Sequence, residues 1–349
     1  MKKKRIIAIF SGNRAEYGLM VPIIEAIDNH PKLNYKLLVS GAHLDRDFGK
    51  TLSEIKNDGF KIYKEVLVRA SKYNSLFTST AIGSLTINIS KELNKLKPDM
   101  LLVYADRFES FAAIIASSQM NIPTVHVEGG DITEGGALDD SVRHAMTKLS
   151  HIHFTTNDQA TKRIIAMGEE KWRVKTAGFP AIDLLAKGSY ASARELKERF
   201  NIKEKKPVVL FTQHSVTTEY RLAKKQLQSS ISALEEISKE NIHIIITFPN
   251  NDVGGSIISN LIRSIDKKKI ANIDVYKSLG RYNYHGILAL SKKRNFHVVC
   301  VGNSSSGIKE TPYFGCPTVN IGSRQKGRLR AGNVIDVNYN KQEIVNAIR

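Results

Sequence analysis

The chain reads as an α/β protein built from two Rossmann-like domains, with parallel sheets facing a central cleft. Three observations predict this. At 349 residues the chain exceeds one ordinary hydrophobic core. Short apolar runs alternate with amphipathic stretches along almost its whole length, as in repeated β–α–β units. One charged segment, Arg194–Lys206, interrupts that alternation and separates two sets of elements. The expected division is an N-terminal domain over residues 1–180 and a C-terminal domain over 181–349.

In the first set, strands are expected at Arg5–Phe10, Tyr35–Val39, Met100–Tyr104, Pro123–Val127, His151–Thr155 and Arg173–Thr176, each a brief apolar run bounded by polar residues. Helices are expected at Val21–Asn29, Thr80–Leu96, Phe108–Ser118 and Ser141–Leu149, where apolar residues recur at helical spacing. The second set offers strands at Pro207–Phe211, Ile242–Thr247, Ile273–Val275, His297–Val301 and Thr318–Ile321. Its helices are expected at Ala223–Lys239, Ser256–Ile265 and Tyr284–Ser291, and a further helix is expected to start at the final Ala347-Ile348-Arg349.

Charge narrows the choice of partner. Lys and Arg total 52 against 34 Asp and Glu, a net +18. Nucleic acid, an acidic membrane surface and an anionic small substrate all suit such a balance. The lysines, however, lie in scattered runs such as Lys205-Lys206 and Lys267-Lys268-Lys269, which solvated loops and helix ends explain. No basic–aromatic interleaving, zinc-finger spacing or RNA-binding signature accompanies them, so no nucleic-acid partner is expected. Lys2–Arg5 followed by Ile6–Phe10 is too short for a signal peptide, and no apolar run is long enough to cross a membrane. Cys300 and Cys316 form no Cys-x-x-Cys or zinc pattern and read as reduced, buried thiols of a cytoplasmic protein.

Ligands of open α/β sheets bind beyond the carboxyl ends of the strands, and the unusual polar residues of this chain fall there. Ser11-Gly12-Asn13-Arg14 follows the first strand; it is a glycine turn but neither a dinucleotide fingerprint nor a Walker loop. Arg14 at the helix entrance suits a diphosphate, its alternative being a surface arginine. Asp106 and Arg107 follow Tyr104, and Glu128-Gly129-Gly130-Asp131 follows Val127. A Gly135-Gly136 loop leads to Asp139-Asp140-Ser141, either acid of which could serve as a helix N-cap. Asp106, Glu128 and Asp139 would converge on one wall, where clustered carboxylates divide acid and base roles. In the second set, His214 follows the first strand, Asn250 follows the second and Arg324 follows Asn320-Ile321-Gly322-Ser323.

The most informative turn is Val301-Gly302-Asn303-Ser304-Ser305-Ser306-Gly307, with Glu310 three residues on. A strand that stops at a small, hydroxyl-rich turn and opens a helix leaves backbone N–H groups facing a phosphate. Glu310, half a turn into that helix, could hold ribose hydroxyls. An ordinary Ser/Asn cap explains the stretch taken alone. Metal is poorly supported: Asp45-Arg46-Asp47 follows no convincing strand, and no Cys/His cluster exists.

Taken together, Arg14-Ala15-Glu16-Tyr17-Gly18, Ser40-Gly41-Ala42-His43-Leu44, Asp106-Arg107, Glu128-Gly129-Gly130, Asp139–Ala145, Gly302–Gly307 and Arg324–Arg328 resemble the hydrolysing UDP-N-acetylglucosamine 2-epimerases, with their sister UDP-N,N'-diacetylbacillosamine 2-epimerases. The resemblance runs from Arg5 to about Val337. It implies the GT-B fold and release of UDP with a free 2-epimeric manno sugar, feeding sialic or legionaminic acid synthesis. It implies catalytic roles for Asp106, Glu128, Asp139 and His214, and UDP contacts at Arg14, Arg107, His214, Asn250, Leu279, Ser304, Ser305, Glu310 and Arg324. No cofactor or metal is implied, and a homo-oligomer, dimer or tetramer, is expected. A non-hydrolysing epimerase, a GT-B glycosyltransferase and, remotely, a basic nucleic-acid-binding protein are the alternatives.

Overall fold

A computed structural model describes residues 4–44, 52–68, 76–133, 138–250 and 254–349, excepting the side chains of residues 14, 15 and 217. The Asp45-Arg46-Asp47 and Gly135-Gly136 stretches lie outside the described residues. The chain divides into two compact units, the first on Met1–Ile132 and Leu138–Asp183, the second on Thr133–Ala137 and Leu184–Arg349.

The first unit runs β1 (Arg5–Ser11), α1 (Arg14–Asp28), β2 (Leu33–Val39), α2 (Leu52–Asn57), β3 (Ile62–Glu65), α3 (Phe77–Leu96), β4 (Met100–Tyr104), α4 (Phe108–Gln119), β5 (Thr124–Val127), α5 (Leu138–Lys148), β6 (Ile152–Thr155), α6 (Asp158–Ala166) and β7 (Val174–Thr176), and α7 (Ala181–Ala186) crosses its boundary. Its seven strands are parallel in the order β3-β2-β1-β4-β5-β6-β7. Inner strands read as continuous apolar runs because helices cover both faces. Helix α3 shows how: Ala81, Leu85, Ile89 and Leu93 recur every four residues, form one buried stripe and pack on Phe10, Leu38, Val103 and Ile114. Each of the larger side chains, Leu85, Ile89 and Leu93, contributes roughly 1.5–3 kcal/mol.

The second unit runs α8 (Ala193–Phe200), β8 (Val208–Thr212), α9 (Ala223–Ile237), β9 (His243–Thr247), α10 (Gly255–Lys268), β10 (Ile273–Tyr276), α11 (Gly280–Ala289), β11 (Val298–Gly302), α12 (Ser306–Lys309), α13 (Thr311–Phe314), β12 (Thr318–Ile321), β13 (Val334–Val337) and α14 (Lys341–Ile348). Its six strands are parallel in the order β10-β9-β8-β11-β12-β13. Phe211, Ile246 and Val301 of the sheet pack with Leu227, Leu234 and Ile258 of the helices. In both units the strand order reverses direction at one place, β1/β4 in the first and β8/β11 in the second. Those are the switch points at which α/β sheets open a crevice.

Four differences from the sequence reading have physical causes. Strands β3 and β13 are edge strands: Tyr63-Lys64-Glu65 leaves β3 without an apolar run, and Asp336 interrupts the short apolar run of β13. Helix α1 begins at Arg14 and passes through Pro22, whereas periodicity alone starts it at Val21. Part of the charged Arg194–Lys206 segment is helix α8, started by a Ser192–Glu195 capping box. The helix expected after the serine turn is two four-residue pieces, α12 and α13, broken at Glu310.

The outer strands β3, β7, β10 and β13 are only three or four residues long. Each carries charge: Lys64 and Glu65, Lys175, Asp274 and Asp336.

Gly302 makes the serine turn possible. Its φ is +126°, and a Cβ there would lie 2.0 Å from the Thr212 carbonyl oxygen. Gly302→Ala should therefore destabilise the second unit by at least about 3 kcal/mol, read as a lower urea midpoint for that unit.

Candidate active site

At the carboxyl edge of the first sheet, two strands end in left-handed backbone. Ala105, after β4, has φ 56°, and Glu128, after β5, has φ 66°. Such turns cost a non-glycine residue about 1–2 kcal/mol. They cluster where a side chain must be re-aimed, here Asp106 and Glu128. Beneath them lies His126 of β5, whose Nε2 sits 2.7 Å from the Ala105 carbonyl and whose Nδ1 sits 3.2 Å from Thr147 Oγ1. Burial pushes its pKa down to about 4, so it packs there as a neutral ring.

Arg143 of α5 is the hub of this edge. It is 1% exposed, yet it pairs with Asp106, lies 2.6 Å from Asp140 Oδ1 and donates to the Asp131 carbonyl at 2.8 Å. Burial alone would lower its pKa; Asp106, Asp140, Asp131 and Glu128 more than reverse that, and the guanidinium stays charged. Glu128 is buried beside it, and the Glu128 N–H donates to the Phe154 carbonyl at 2.8 Å. Asp139 and Asp140 both lie inside the first turn of α5, so neither is its N-cap. Asp140 points to Arg143, whereas Asp139 is half-buried.

At the β1/β4 switch point a second acidic pair is buried. Glu16 accepts from the Gly12 N–H at 3.2 Å and from Ser110 Oγ at 3.1 Å. Glu109, fully buried, lies where a Cβ on Gly12 would strike its own Cβ at 2.4 Å, and it faces Arg107 Nε at 3.4 Å. Burial first, then the Glu109 charge, push the Glu16 carboxyl up to about 8, against the opposing pull of Arg107.

At the β8/β11 switch point the clamp is neutral. Asn303 is fully buried and holds His214 through both amide atoms: Oδ1 accepts from the His214 N–H at 2.7 Å, and Nδ2 donates to the His214 carbonyl at 2.9 Å. The Asn303 carbonyl accepts from Arg324 Nη1 at 3.2 Å and from Gln325 Nε2 at 2.9 Å. The Asn250 N–H donates to His214 Nδ1 at 3.0 Å, so the neutral imidazole carries its proton on Nε2. His214 and Arg324 are thereby tied directly to the residue that precedes Ser304 and Ser305, and Asn250 is tied to it through His214.

The sequence-derived residues thus fall into groups. Asp106, Arg107, Glu128 and Asp139 occupy the carboxyl edge of the first sheet, and Arg14 opens α1, its side chain outside the described residues. His214, Asn250, Ser304, Ser305 and Arg324 gather at the second switch point. Glu310 is not half a turn into a continuing helix; it ends α12 and joins a separate cluster with Ser306 and His285. Leu279 is buried at the start of α11, the helix that carries His285. The hubs Arg143 and Asn303, the Glu16–Glu109 pair and His285 were not among the expected site residues. The one available signal was the placement of Arg143 three residues after Asp140. Among the described residues no acidic, histidine or cysteine group is arranged to hold a metal, and no helix is long and apolar enough to cross a membrane.

Two parallel Rossmann-like sheets in one chain, each with its polar residues at a switch point, define an enzyme of the GT-B fold. Residues 25–349 match the family described as UDP-N-acetylglucosamine 2-epimerase. A Campylobacter jejuni protein named GDP/UDP-N,N'-diacetylbacillosamine 2-epimerase (hydrolyzing) is 32% identical over 337 residues, 97% of this chain and 85% of that protein. A Neisseria meningitidis serogroup B UDP-N-acetylglucosamine 2-epimerase is 33% identical over 348 residues, 99% of this chain and 87% of that protein. The crystal structure of a Neisseria meningitidis UDP-GlcNAc 2-epimerase bound to UDP-GlcNAc shares the fold, with a TM-score of 0.78 and 19% identity over 98% of this chain and 90% of that one. The chain belongs to the UDP-N-acetylglucosamine 2-epimerase family.

The raised pKa of Glu16 has a thermodynamic consequence. Between 4.5 and about 8 the folded chain holds a proton that the unfolded chain has released, so stability falls as pH rises through that window. Glu16→Gln should flatten that decline and make the protein more stable than wild type at pH 8, by on the order of 4 kcal/mol at most. Urea unfolding at pH 5 and pH 8 checks it; an unchanged slope refutes it.

Proposed function

We propose that this protein is a hydrolysing UDP-sugar 2-epimerase, converting UDP-N-acetylglucosamine or UDP-N,N'-diacetylbacillosamine to UDP and the free 2-epimeric manno sugar for sialic or legionaminic acid synthesis. The observation that carries this reading is the gathering of Asp106, Asp140 and Glu128 around the charged, buried Arg143. Inversion at a carbon needs proton acceptor and donor on opposite faces, hence more than one carboxyl group. The name of the hydrolysing relative from Campylobacter jejuni supports release of free sugar.

The C2 proton of the sugar is too weakly acidic to be taken unaided, so UDP leaves the anomeric carbon first. His214, with its proton on Nε2, donates to the departing diphosphate, and Arg14, Arg107, Arg324 and the Ser304–Ser305 amides stabilise its charge. Preorganised donors of this kind contribute about 3 kcal/mol each. Positive charge at C1 then acidifies C2–H. Asp106 or Glu128 removes that proton and leaves a glycal. Water adds at C1 while Asp139 or another acid of the same edge returns a proton to C2 from the other face. Leu279, Asn250 and Glu310 hold the nucleoside. A homodimer or homotetramer in the cytoplasm completes the proposal. Burial pushes the Cys300 and Cys316 thiols up to about 12 and about 11, which supports their persistence as thiols.

Turnover in deuterium oxide should place deuterium at C2 of the product and release free UDP; a protium-only product removes the elimination step, and a UDP-linked product makes the enzyme non-hydrolysing. Assaying both UDP-sugars side by side assigns the substrate. Asp106→Asn should lower turnover about 10²–10⁴-fold while UDP still binds by calorimetry. Loss of UDP binding in that variant would make Asp106 a nucleotide ligand instead.

A further inference from the structure

Beside the Asn303 clamp lies a buried cluster in which Glu310, given a nucleoside role above, is held by two residues with no role so far, His285 and Ser306. Glu310 Oε2 accepts from Ser306 Oγ at 2.6 Å and lies 3.0 Å from His285 Nε2. All three residues are buried. A nitrogen facing a carboxylate oxygen carries the proton, so His285 Nε2–H donates to Glu310. The other ring nitrogen, Nδ1, is buried and has no partner among the described residues. Burying an orphan nitrogen costs stability, so the ring is held there by what Nε2 does. Both donors reach the same oxygen of Glu310, and among the described residues none reaches Oε1. Burial would raise the pKa of Glu310; His285, then Ser306 and Lys309, overcome it and hold the group below its ordinary value, ionised.

We propose that His285 is a positioning residue that locks Glu310 with Oε1 presented to the vicinal hydroxyls of the nucleotide ribose, and so sets a preference for ribonucleotides. This rests on the UDP-binding reading. Two neighbouring hydroxyls are donors, and an ionised carboxylate of fixed plane is their matched acceptor. Helix α11 starts beside Leu279 and carries His285 in its second turn, so one rigid element serves both base and ribose.

The test is calorimetry with UDP and 2′,3′-dideoxyuridine diphosphate on wild type, His285→Phe and His285→Gln. Wild type should prefer UDP. His285→Phe keeps a ring of similar size without a donor, and should weaken UDP about tenfold while changing the dideoxy ligand less than about twofold. His285→Gln restores a donor and should keep most of the preference. Equal weakening of both ligands by His285→Phe, or an undiminished preference, overturns the proposal. A wild type that binds both ligands equally removes the ribose role of Glu310, and the proposal with it. A wild type that binds neither sinks the nucleotide reading itself. Circular dichroism controls for folding; if His285→Phe does not fold, Ser306→Ala replaces it and should also reduce the preference, an unchanged preference counting against the clamp.

Discussion

A guanidinium sealed from water must be neutralised where it lies, and that requirement organises the first sheet's carboxyl edge. Arg143 is charged and 1% exposed, so its partners cannot be optional. Asp140 reaches it from one turn back on the same helix, Asp106 from the end of β4, and the Asp131 carbonyl from the loop after β5. Three stretches of chain are thus fixed relative to one cation. The left-handed backbone at Ala105 and Glu128 persists because this network and the ring of His126 over-determine it. His126 adds no charge of its own, since burial keeps it neutral.

The second unit solves a different problem with a different chemistry. Its hub, Asn303, is an uncharged amide that uses donor and acceptor alike and leaves no net charge behind. Around it stand Arg324 and an imidazole whose tautomer is set by a backbone N–H. Its core contacts are thus made through amide and backbone groups rather than through a buried ion pair. In the first unit the cation is internal and the carboxylates surround it, which suits proton transfer.

Interior strands were legible in the sequence because both of their faces are buried, so apolar residues run without interruption. β3 was not, because Lys64-Glu65 follows its apolar start, and β13 was not, because Asp336 divides its four residues. The strand-end residues Asp106, His214 and Arg324 were legible once strands were placed, since parallel sheets expose their carboxyl ends. Partnership was not. Nothing in Asp139-Asp140 says which acid turns inward until Arg143 is seen on the same face of α5. Asn303 looked like part of a phosphate turn, and only the adjacency of β8 and β11 shows that it grips His214. The Glu310 break did have a signal, Pro312, which cannot continue α12 and sits in the first turn of α13.

The rims of the two sheets bear on how copies of this protein can meet. A parallel sheet with an open rim invites another chain to add a strand, the route by which many β-rich proteins precipitate. Here every rim segment is too brief to template a long ladder, and Lys64, Glu65, Lys175, Asp274 or Asp336 stands on each. Strand-to-strand accretion is thereby discouraged at all four borders. Added strands are therefore a poor means for one copy of this protein to join another.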